Sequence, residues 1–208
     1  MSQEEEVARK NGEYDSDAQY HFAKFMEEIG LPAESSEHLK ETPRRVTHAF
    51  RDDLFSGLDK DPERHLQTTF NDVEQYKGDA GFVIVRDIQV QSCCAHHWLP
   101  FVGKAHVGYL PKDDVVGLSK LARVTEEYAR RPQVQERLTN QIATAVHDNL
   151  DPIATFVILE AEHECMSCRG IRDPDSSTIT SARRGDPDDD SIFELEKKFY
   201  QLVSMRQL

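Results

Sequence analysis

Phe82-Val-Ile-Val85, followed by Ile88 and Val90, is the stretch that decides the fold, because the chain turns β-rich there. A second β-rich run, Ala105-His-Val-Gly-Tyr-Leu110, follows it and is closed by Pro111. β-Branched and aromatic residues bounded by turn residues are typical of strands. We therefore predict a pair of strands here.

Two helices are predicted before these strands. Asp15 or Ser16 is a candidate cap for the first helix, which ends near Gly30. Thr42 and Pro43 are expected to begin the second, as a capping hydroxyl followed by proline at the first helical position. Between these helices and the strands, a loop is predicted at residues 58–78.

The pattern after the strands predicts two helices, two strands and a last helix. We expect the helices at about 119–130 and 133–150, the strands at 155–159 and 177–181, and the last helix after Asp190 or Ser191. Grouped strands with grouped helices favour an α+β fold with antiparallel pairing over a doubly wound sheet. Four strands leave two exposed edges, so we expect neighbouring subunits to close the sheet.

Size and composition restrict the class of protein. A chain of 208 residues can bury one core with appended segments. The net charge of −13 argues against a nucleic-acid partner, whose backbone is itself anionic. The sequence contains no run of about 18 consecutive apolar residues, so no membrane span is predicted. The acidic N-terminal residues lack the features of a secretory signal, so a cytoplasmic location is expected.

All four cysteines lie in two short clusters, Cys93-Cys94-Ala-His-His97 and His163-Glu-Cys165 with Cys168. Without a secretory signal, this usage favours metal binding over disulfides. Cys94, His97 and Cys165 would supply three zinc ligands and leave a fourth position for water. His96 and His163 stand beside these ligands, where an imidazole can move protons near neutral pH.

Cys168 leaves a second interpretation open, because it forms a C-x-x-C pair with Cys165. Four ligands, with Cys168 as the fourth, would make a closed zinc site of structural use only. Spacing alone does not decide between the open and the closed site.

A group of polar and cationic residues lies outside these clusters. Gly117-Leu-Ser-Lys-Leu-Ala-Arg123 places Ser119, Lys120 and Arg123 at or near a helix start, where free amides and the helix dipole favour anions. Taken alone, Lys120 and Arg123 are more typical of a solvated helix face. Gln135 and Glu136 are likewise typical of a helix surface, although a carboxylate can accept two N–H bonds from a guanine-like edge.

Several motifs, in one order from about residue 40 to 185, resemble the GTP cyclohydrolase I family. They are Ser92-Cys-Cys-Ala-His-His97, Pro100-Phe-Val-Gly103, Gly117-Leu-Ser-Lys120, Arg131-Pro-Gln-Val-Gln-Glu-Arg-Leu-Thr139, His163-Glu-Cys-Met166 with Arg169-Gly170, and Thr42-Pro-Arg-Arg-Val46. Two positions depart from the family pattern: Ala95 stands where glutamate is usual, and Cys168 where an apolar residue is common. We expect the Cys168 thiol to pack as a small hydrophobe.

The resemblance implies the tunnelling fold, an antiparallel sheet with two helices on one face, joined into an oligomeric barrel and usually a toroidal decamer. It implies a zinc-dependent hydrolase that converts GTP and water to 7,8-dihydroneopterin triphosphate and formate, at active sites between subunits. Zinc would be held by Cys94, His97 and Cys165, proton transfers would use His96, His163 and Ser119, guanine would be held by Gln135 and Glu136, and the triphosphate by Lys120, Arg123 and Arg169.

These expectations divide the chain into an N-terminal tail and helical extension at 1–78, a tunnelling-fold catalytic domain at 79–185, and a C-terminal helix of the same domain at 186–208. Two alternatives stay open. One is a non-catalytic, zinc-stapled oligomer that binds a nucleotide. The other is a tunnelling-fold enzyme that acts on a related purine or deazapurine.

Overall fold

A computed structural model describes residues 16–70, 81–186, 188–189 and 191–205. The chain divides into two compact units, Met1–Ser56 and Gly57–Leu208. Two candidate caps, Asp15 and Asp190, lie outside the described residues, as does the part of the predicted loop from 71 to 78.

The first unit contains the two predicted helices. Helix α1 spans Asp17–Glu28, and the Ser16 hydroxyl accepts the Gln19 N–H at 3.4 Å, which confirms Ser16 as the cap. Helix α2 spans Thr42–His48 and continues as a π-helical turn, Ala49–Leu54. The prediction of Thr42 as its cap is wrong: Glu41 occupies that position, and Thr42 already lies in the first turn.

The second unit contains a five-stranded sheet. In chain order, the elements of this second unit are a 3₁₀ helix Pro62–Leu66, β1 Thr69–Phe70, β2 Val83–Cys94, β3 Pro100–Leu110, β4 Val115–Val116, α3 Leu118–Ala129, β5 Pro132–Gln133, α4 Gln135–Leu150, β6 Ala154–His163, α5 Glu164–Ser167, β7 Thr178–Gly185 and α6 Ser191–Ser204. The strand order of the sheet is β5-β2-β3-β6-β7, and β1 pairs with β4 separately.

The sheet confirms the predicted α+β class. The four long strands pair antiparallel, and only β5 runs parallel to its neighbour β2. The prediction of four strands missed β5, since two residues are too few to show a strand pattern. The strands also run further than expected: β2 reaches Cys94, and β6 reaches His163. The two cysteine–histidine clusters therefore start at strand ends.

Both faces of the sheet carry helices, because alternate residues of each strand point to opposite sides. Helices α3 and α4 cover one face, where fully buried core residues include Val90, Phe101, Leu121, Leu138, Ile142 and Leu159. Helix α6 covers part of the other face, where its Phe199 stacks on Phe156 with ring centroids 5.5 Å apart. A Cβ on Gly108 would lie 2.7 Å from the Phe199 ring, so only glycine lets α6 approach this closely.

An irregularity in β2 brings a histidine of β3 into a specific contact. The register of the β2–β3 pair shifts between Val85 and Ile88, and Asp87 adopts a positive φ of 56°. The Asp87 N–H, freed from the strand ladder by this bulge, donates to His106 Nδ1 at 3.2 Å. Among the described helices, none is long and apolar enough to cross a membrane.

Candidate metal centre

The sheet register brings the two cysteine–histidine clusters to one end of neighbouring strands. Cys93 pairs with Pro100 between β2 and β3, and Phe101 pairs with His163 between β3 and β6. The chain after Cys94 and the chain after His163 therefore leave the sheet at the same end, with β3 between their strands. The single turn of α5 then carries Cys165 back toward Cys94.

A tight turn holds the first cluster. The N–H groups of His97 and Trp98 donate to the Cys94 carbonyl at 3.3 and 2.8 Å, and the Cys94 N–H donates to Leu99 O at 2.8 Å. Trp98 adopts a positive φ of 55° to close this turn. Ala95, where the family usually has glutamate, donates its N–H to Gln133 O of β5 at 2.8 Å. The ligand side chains thus project from a fixed main chain.

Cys94, His97 and Cys165 form a cluster of three ligands, which we call the metal cluster. One ligand atom from each lies within 4.8 Å of the other two, and Cys94 Sγ is 3.8 Å from His97 Nδ1. Tetrahedral zinc, with bonds of about 2.3 Å to sulfur and 2.0 Å to nitrogen, needs ligands about 3.5–4 Å apart. The donor set of two thiolates and one imidazole and its spacing therefore fit zinc.

Cys168 is not part of the metal cluster, although it follows Cys165 by less than one helical turn. Its side chain is exposed, so the expectation that this thiol packs as a small hydrophobe is wrong. Three protein ligands, with Cys168 turned to solvent, correspond to the open site rather than to the closed structural one. Cys93 is buried and also lies outside the cluster.

The two thiols of the metal cluster favour a cation electrostatically. Burial raises the pKa of Cys165, and the neighbouring Cys94 raises it further by charge repulsion and by a hydrogen bond. Two thiolates at this distance repel each other, so the doubly ionised pair needs a positive partner. A metal ion supplies that charge, and binding it releases the thiol protons.

His163 is held beside the metal cluster by two contacts. Its ring stacks on Phe101 with centroids 4.6 Å apart and an interplanar angle of 15°, and its Nε2 lies 2.7 Å from Gln135 Oε1. Burial lowers the pKa of His163, while the nearby Glu136 carboxylate acts in the opposite direction. Burial therefore favours the neutral form of this imidazole.

His96 lies on the exposed side of the same turn. Its Nδ1 is 3.6 Å from Cys94 Sγ, and its ring centroid is 6.2 Å from that of His97. Of the two histidines, only His97 belongs to the metal cluster. This arrangement leaves the His96 imidazole beside the metal cluster with its ring exposed to solvent.

Gln135 and Glu136, adjacent in sequence, face different environments. Gln135 is only 2% exposed, and its side-chain amide is used inside the protein, whereas Glu136 is exposed at the start of α4. The residues alone suggested a helix surface for both, and the resemblance implied that both hold guanine. The buried hydrogen bonds of Gln135 were missed because nothing in the local sequence marks which of two polar residues at a helix start turns inward.

The remaining expected site residues fall into two groups. Arg169 is exposed and follows α5, at the same end of the sheet as the metal cluster. Ser119 and Lys120 begin α3 near the opposite end, because the preceding Val116 N–H donates to the hydroxyl of Tyr109, and Tyr109 pairs with Val83.

Helix α3 runs back along the sheet toward the metal cluster. Just after it, Arg131 O accepts from the Ser92 hydroxyl at 3.3 Å, and Pro132 pairs with Cys93. At about 1.5 Å per residue, Ser119 lies roughly 15 Å along α3 from its metal-proximal end, with exposed Arg123 between. Within one chain, Ser119 and Lys120 are therefore remote from the metal cluster.

The family model and the sequence relatives agree on one family. A family model described as GTP cyclohydrolase I matches residues 18–204. GTP cyclohydrolase 1 of Pelotomaculum thermopropionicum is 52% identical over 161 residues, covering 77% of this chain and 82% of that protein. GTP cyclohydrolase 1 of Bacillus subtilis is 47% identical with the same coverage. A solved structure of the archaeosine synthase QueF-Like, in the apo form, is only 16% identical, with a TM-score of 0.43 over 52% of this chain and 97% of that one.

Proposed function

The chain belongs to the GTP cyclohydrolase I family, and from this we propose that its metal cluster holds the zinc ion used to convert GTP and water to 7,8-dihydroneopterin triphosphate and formate. This is the reaction that begins the synthesis of pterin and folate-type cofactors. The observation that carries the proposal is the convergence of Cys94, His97 and Cys165, from two distant segments, at zinc-ligand spacing.

The chemistry divides between the metal and the protein. When bound, zinc supplies Lewis-acid activation of water, lowering the pKa of that water toward about 7. Attack of water at C8 of guanine needs a proton on N7, and we assign this proton transfer to His163 and His96, the two imidazoles beside the metal cluster. Opening of the five-membered ring gives a formamide, whose hydrolysis releases C8 as formate. The later ribose rearrangement needs further proton transfers, and we assign Ser119 to these.

Guanine recognition is assigned to the start of α4. The exposed Glu136 carboxylate accepts the two N–H groups on the guanine edge, N1–H and the 2-amino group. The nearness of Glu136 to His163, seen in its effect on the pKa of His163, is consistent with a base held between them. The resemblance also assigns Gln135 to the base, but its side-chain amide is already occupied inside the protein.

The triphosphate site needs a second subunit. Arg169 extends from the end that carries the metal cluster, but Ser119 and Lys120 of the same chain lie at the far end of the sheet. We assign Ser119, Lys120 and Arg123 to the site of a neighbouring subunit. Free amides at the start of α3 add to their attraction for phosphate.

The sheet has edges through which such subunits join. Within the described residues, β5 covers only Cys93 and Cys94 of β2, and β7 pairs on one side only, with β6. Pairing of these edges between copies closes a barrel and removes exposed strand edges. We propose a homo-oligomer of this kind, a decamer as in the tunnelling fold, with 79–185 as its catalytic domain. The free thiols of the metal cluster accord with a cytoplasmic location.

A direct assay tests the function. The zinc-loaded protein is incubated with GTP, and formate and the fluorescence of the oxidised pterin are both measured. One formate per GTP consumed is expected, with no formate after chelation of the metal. Zinc bound at one ion per chain without formate would point to the non-catalytic oligomer. A covalent adduct between a cysteine and the substrate would point to the deazapurine enzyme.

A further inference from the structure

We propose that Gln135 is a positioning residue for His163: its carboxamide holds the histidine with a proton on Nε2 and leaves Nδ1 as the atom that exchanges protons with substrate. The inference rests on the proposed function, in which His163 carries protons. It gives the Gln135 side chain a role in proton transfer and none in contacting guanine.

The hydrogen bonds of Gln135 fix which way its amide points. Its Nε2 lies 3.1 Å from Leu159 O and 2.9 Å from Thr178 O, and main-chain carbonyls only accept hydrogen bonds. The amide NH₂ group must therefore occupy this side, because the reverse orientation would set three acceptor oxygens against one another. The Oε1 atom is left facing His163 Nε2 at 2.7 Å.

This orientation decides the tautomer of His163. Gln135 Oε1 has no proton to give, so a bond of 2.7 Å requires His163 Nε2 to carry the hydrogen. In the neutral imidazole the lone pair is then on Nδ1. Proton exchange with substrate at Nε2 would break this buried bond, whereas exchange at Nδ1 leaves it intact.

Two hydroxyl groups anchor Gln135 further. Thr139 Oγ1 donates to the main-chain O of Gln135 at 2.8 Å and lies 2.6 Å from Thr180 Oγ1. Thr180 Oγ1 in turn lies 3.1 Å from Gln135 Nε2, so the two N–H groups of this amide are shared among Thr180 and the carbonyls of Leu159 and Thr178. One consistent set of hydrogen directions follows: Gln135 donates to Thr180, Thr180 donates to Thr139, and Thr139 donates to the carbonyl of Gln135.

The ring of His163 is thus held at an edge and on a face. Gln135 holds the Nε2 edge, and Phe101, its partner across β3 and β6, stacks on the ring face. Both supporting side chains are at most 2% exposed, so neither turns away into solvent. A catalytic imidazole supported in this way does not need to be oriented by the substrate.

The first test separates positioning from base contact. Gln135→Leu should lower kcat by at least tenfold, while KM for GTP and zinc content change by less than twofold. The matched control is Gln133→Leu, another buried glutamine, whose side-chain amide donates to Tyr128 O and Gln141 and accepts from Arg137, with no histidine among these partners. A raised KM for GTP with kcat preserved, or an equal loss of kcat in the Gln133 variant, would overturn the inference.

Gln135→Glu provides a second variant if the leucine variant does not fold. It retains an oxygen opposite His163 Nε2, so its kcat should exceed that of Gln135→Leu at unchanged KM. If Gln135→Leu does not fold, kcat and KM for GTP of Gln135→Glu are compared with those of the wild type. A variant whose main defect is a raised KM for GTP would contradict the inference.

A double-mutant cycle gives a readout in addition to catalysis. In a His163→Ala background, Gln135→Leu should change the residual rate and the melting temperature much less than it does in wild type, because its partner is already gone. Additive shifts in melting temperature would show that the two residues act separately. Formate release by the wild-type protein tests the proposed reaction independently. If the wild type releases no formate but the shifts in melting temperature are non-additive, the proposed reaction is wrong and the contact between Gln135 and His163 still stands.

Discussion

The Sγ atoms of Cys94 and Cys165 lie within 4.8 Å of each other, although they follow strands that β3 separates in the sheet. Cys168, near in sequence to Cys165, is exposed and stands outside this cluster. The two cysteines of the C-x-x-C pair therefore have different roles, which their substitution separates.

Cys165→Ser should lose zinc and turnover, whereas Cys168→Ala should keep both. Changes to the residues around metal ligands typically lower metal affinity or activity by roughly 10–100-fold, and removal of a direct ligand should lower them further. Metal analysis of the purified variants and formate release measure the two effects. Loss of zinc from Cys168→Ala would reverse the ligand assignment.

His96→Ala should retain zinc and lose most of its turnover. The imidazole lies beside Cys94 but outside the metal cluster, and acid–base groups contribute about 10²–10⁴-fold to rates. His97→Ala is the matched comparison, since it removes a ligand and should release the metal. Rates near those of wild type for His96→Ala would remove this residue from the mechanism.

Mixed oligomers should recover activity that neither variant has alone. Lys120→Ala damages the phosphate end of a subunit and Cys165→Ser its metal end, and these ends lie apart within one chain. Co-assembled subunits can form some sites that are intact at both positions. Formate release is measured after the two variants are unfolded and refolded together, with each refolded alone as the control. No recovery in verified mixed oligomers would place the whole site within one chain.

Glu136→Ala should weaken the preference for GTP over inosine triphosphate, which lacks the 2-amino group. Hydrogen bonds to a charged group are worth about 1.5–3 kcal/mol, so kcat/KM for GTP should fall roughly 10–100-fold, with a smaller loss for inosine triphosphate. Glu136→Gln, which retains the shape, is the control for steric effects. An unchanged preference would contradict the assigned contact.

The free energy of unfolding should decrease as the pH falls below neutral, and part of this decrease should come from His106. Burial lowers the pKa of His106, with Arg86 and Lys104 acting in the same direction and Asp87 and Glu160 opposing it. As the pH falls below about 6.5, the unfolded chain takes up this proton before the folded one does. The contribution of neutral His106 is therefore present above pH 6.5 and is lost as the pH falls through the folded pKa.

The measurement is the melting temperature between pH 7.5 and 5. His106→Gln should lower the melting temperature at pH 7.5 but flatten its fall toward pH 5, because no imidazole is left to protonate at the bulge. His38→Gln, which removes an exposed imidazole, is the control and should follow the wild-type curve. An equally steep fall in His106→Gln would exclude this histidine as the cause.

Much of the fold followed from local patterns in the sequence. Runs such as Phe82-Val-Ile-Val85 predicted strands, and the Ser16 cap and the apolar spacing after it predicted α1. The prediction of four strands failed at β5, which depends on a tertiary contact. The pair Pro132–Gln133 becomes a strand only because Cys93 and Cys94 offer it a parallel edge. The wrong cap prediction at Thr42 has a local cause instead: Glu41 precedes the first helical residue without a side-chain cap hydrogen bond, and its carboxylate pairs with Arg44, three residues on, at 2.8 Å.

The candidate site shows the same division. The residue types and spacings predicted that Cys94, His97 and Cys165 bind one metal ion, because zinc restricts its ligands narrowly, but they did not decide whether Cys168 joins them. The orientation of Gln135 was not predictable, since it depends on carbonyl groups of β6 and of the residue that opens β7. The exposure of Cys168 likewise depends on where the chain turns after α5.

In the proposed oligomer, the separation of the two ends of the sheet would set an order of maturation. A newly folded subunit already carries the three residues of the metal cluster, whereas the basic residues assigned to its triphosphate site would come from another copy. A subunit can thus bind its metal ion before assembly, whereas GTP can bind and react only after assembly. A lone subunit in the cell would be a metal-binding protein that leaves the nucleotide pool untouched.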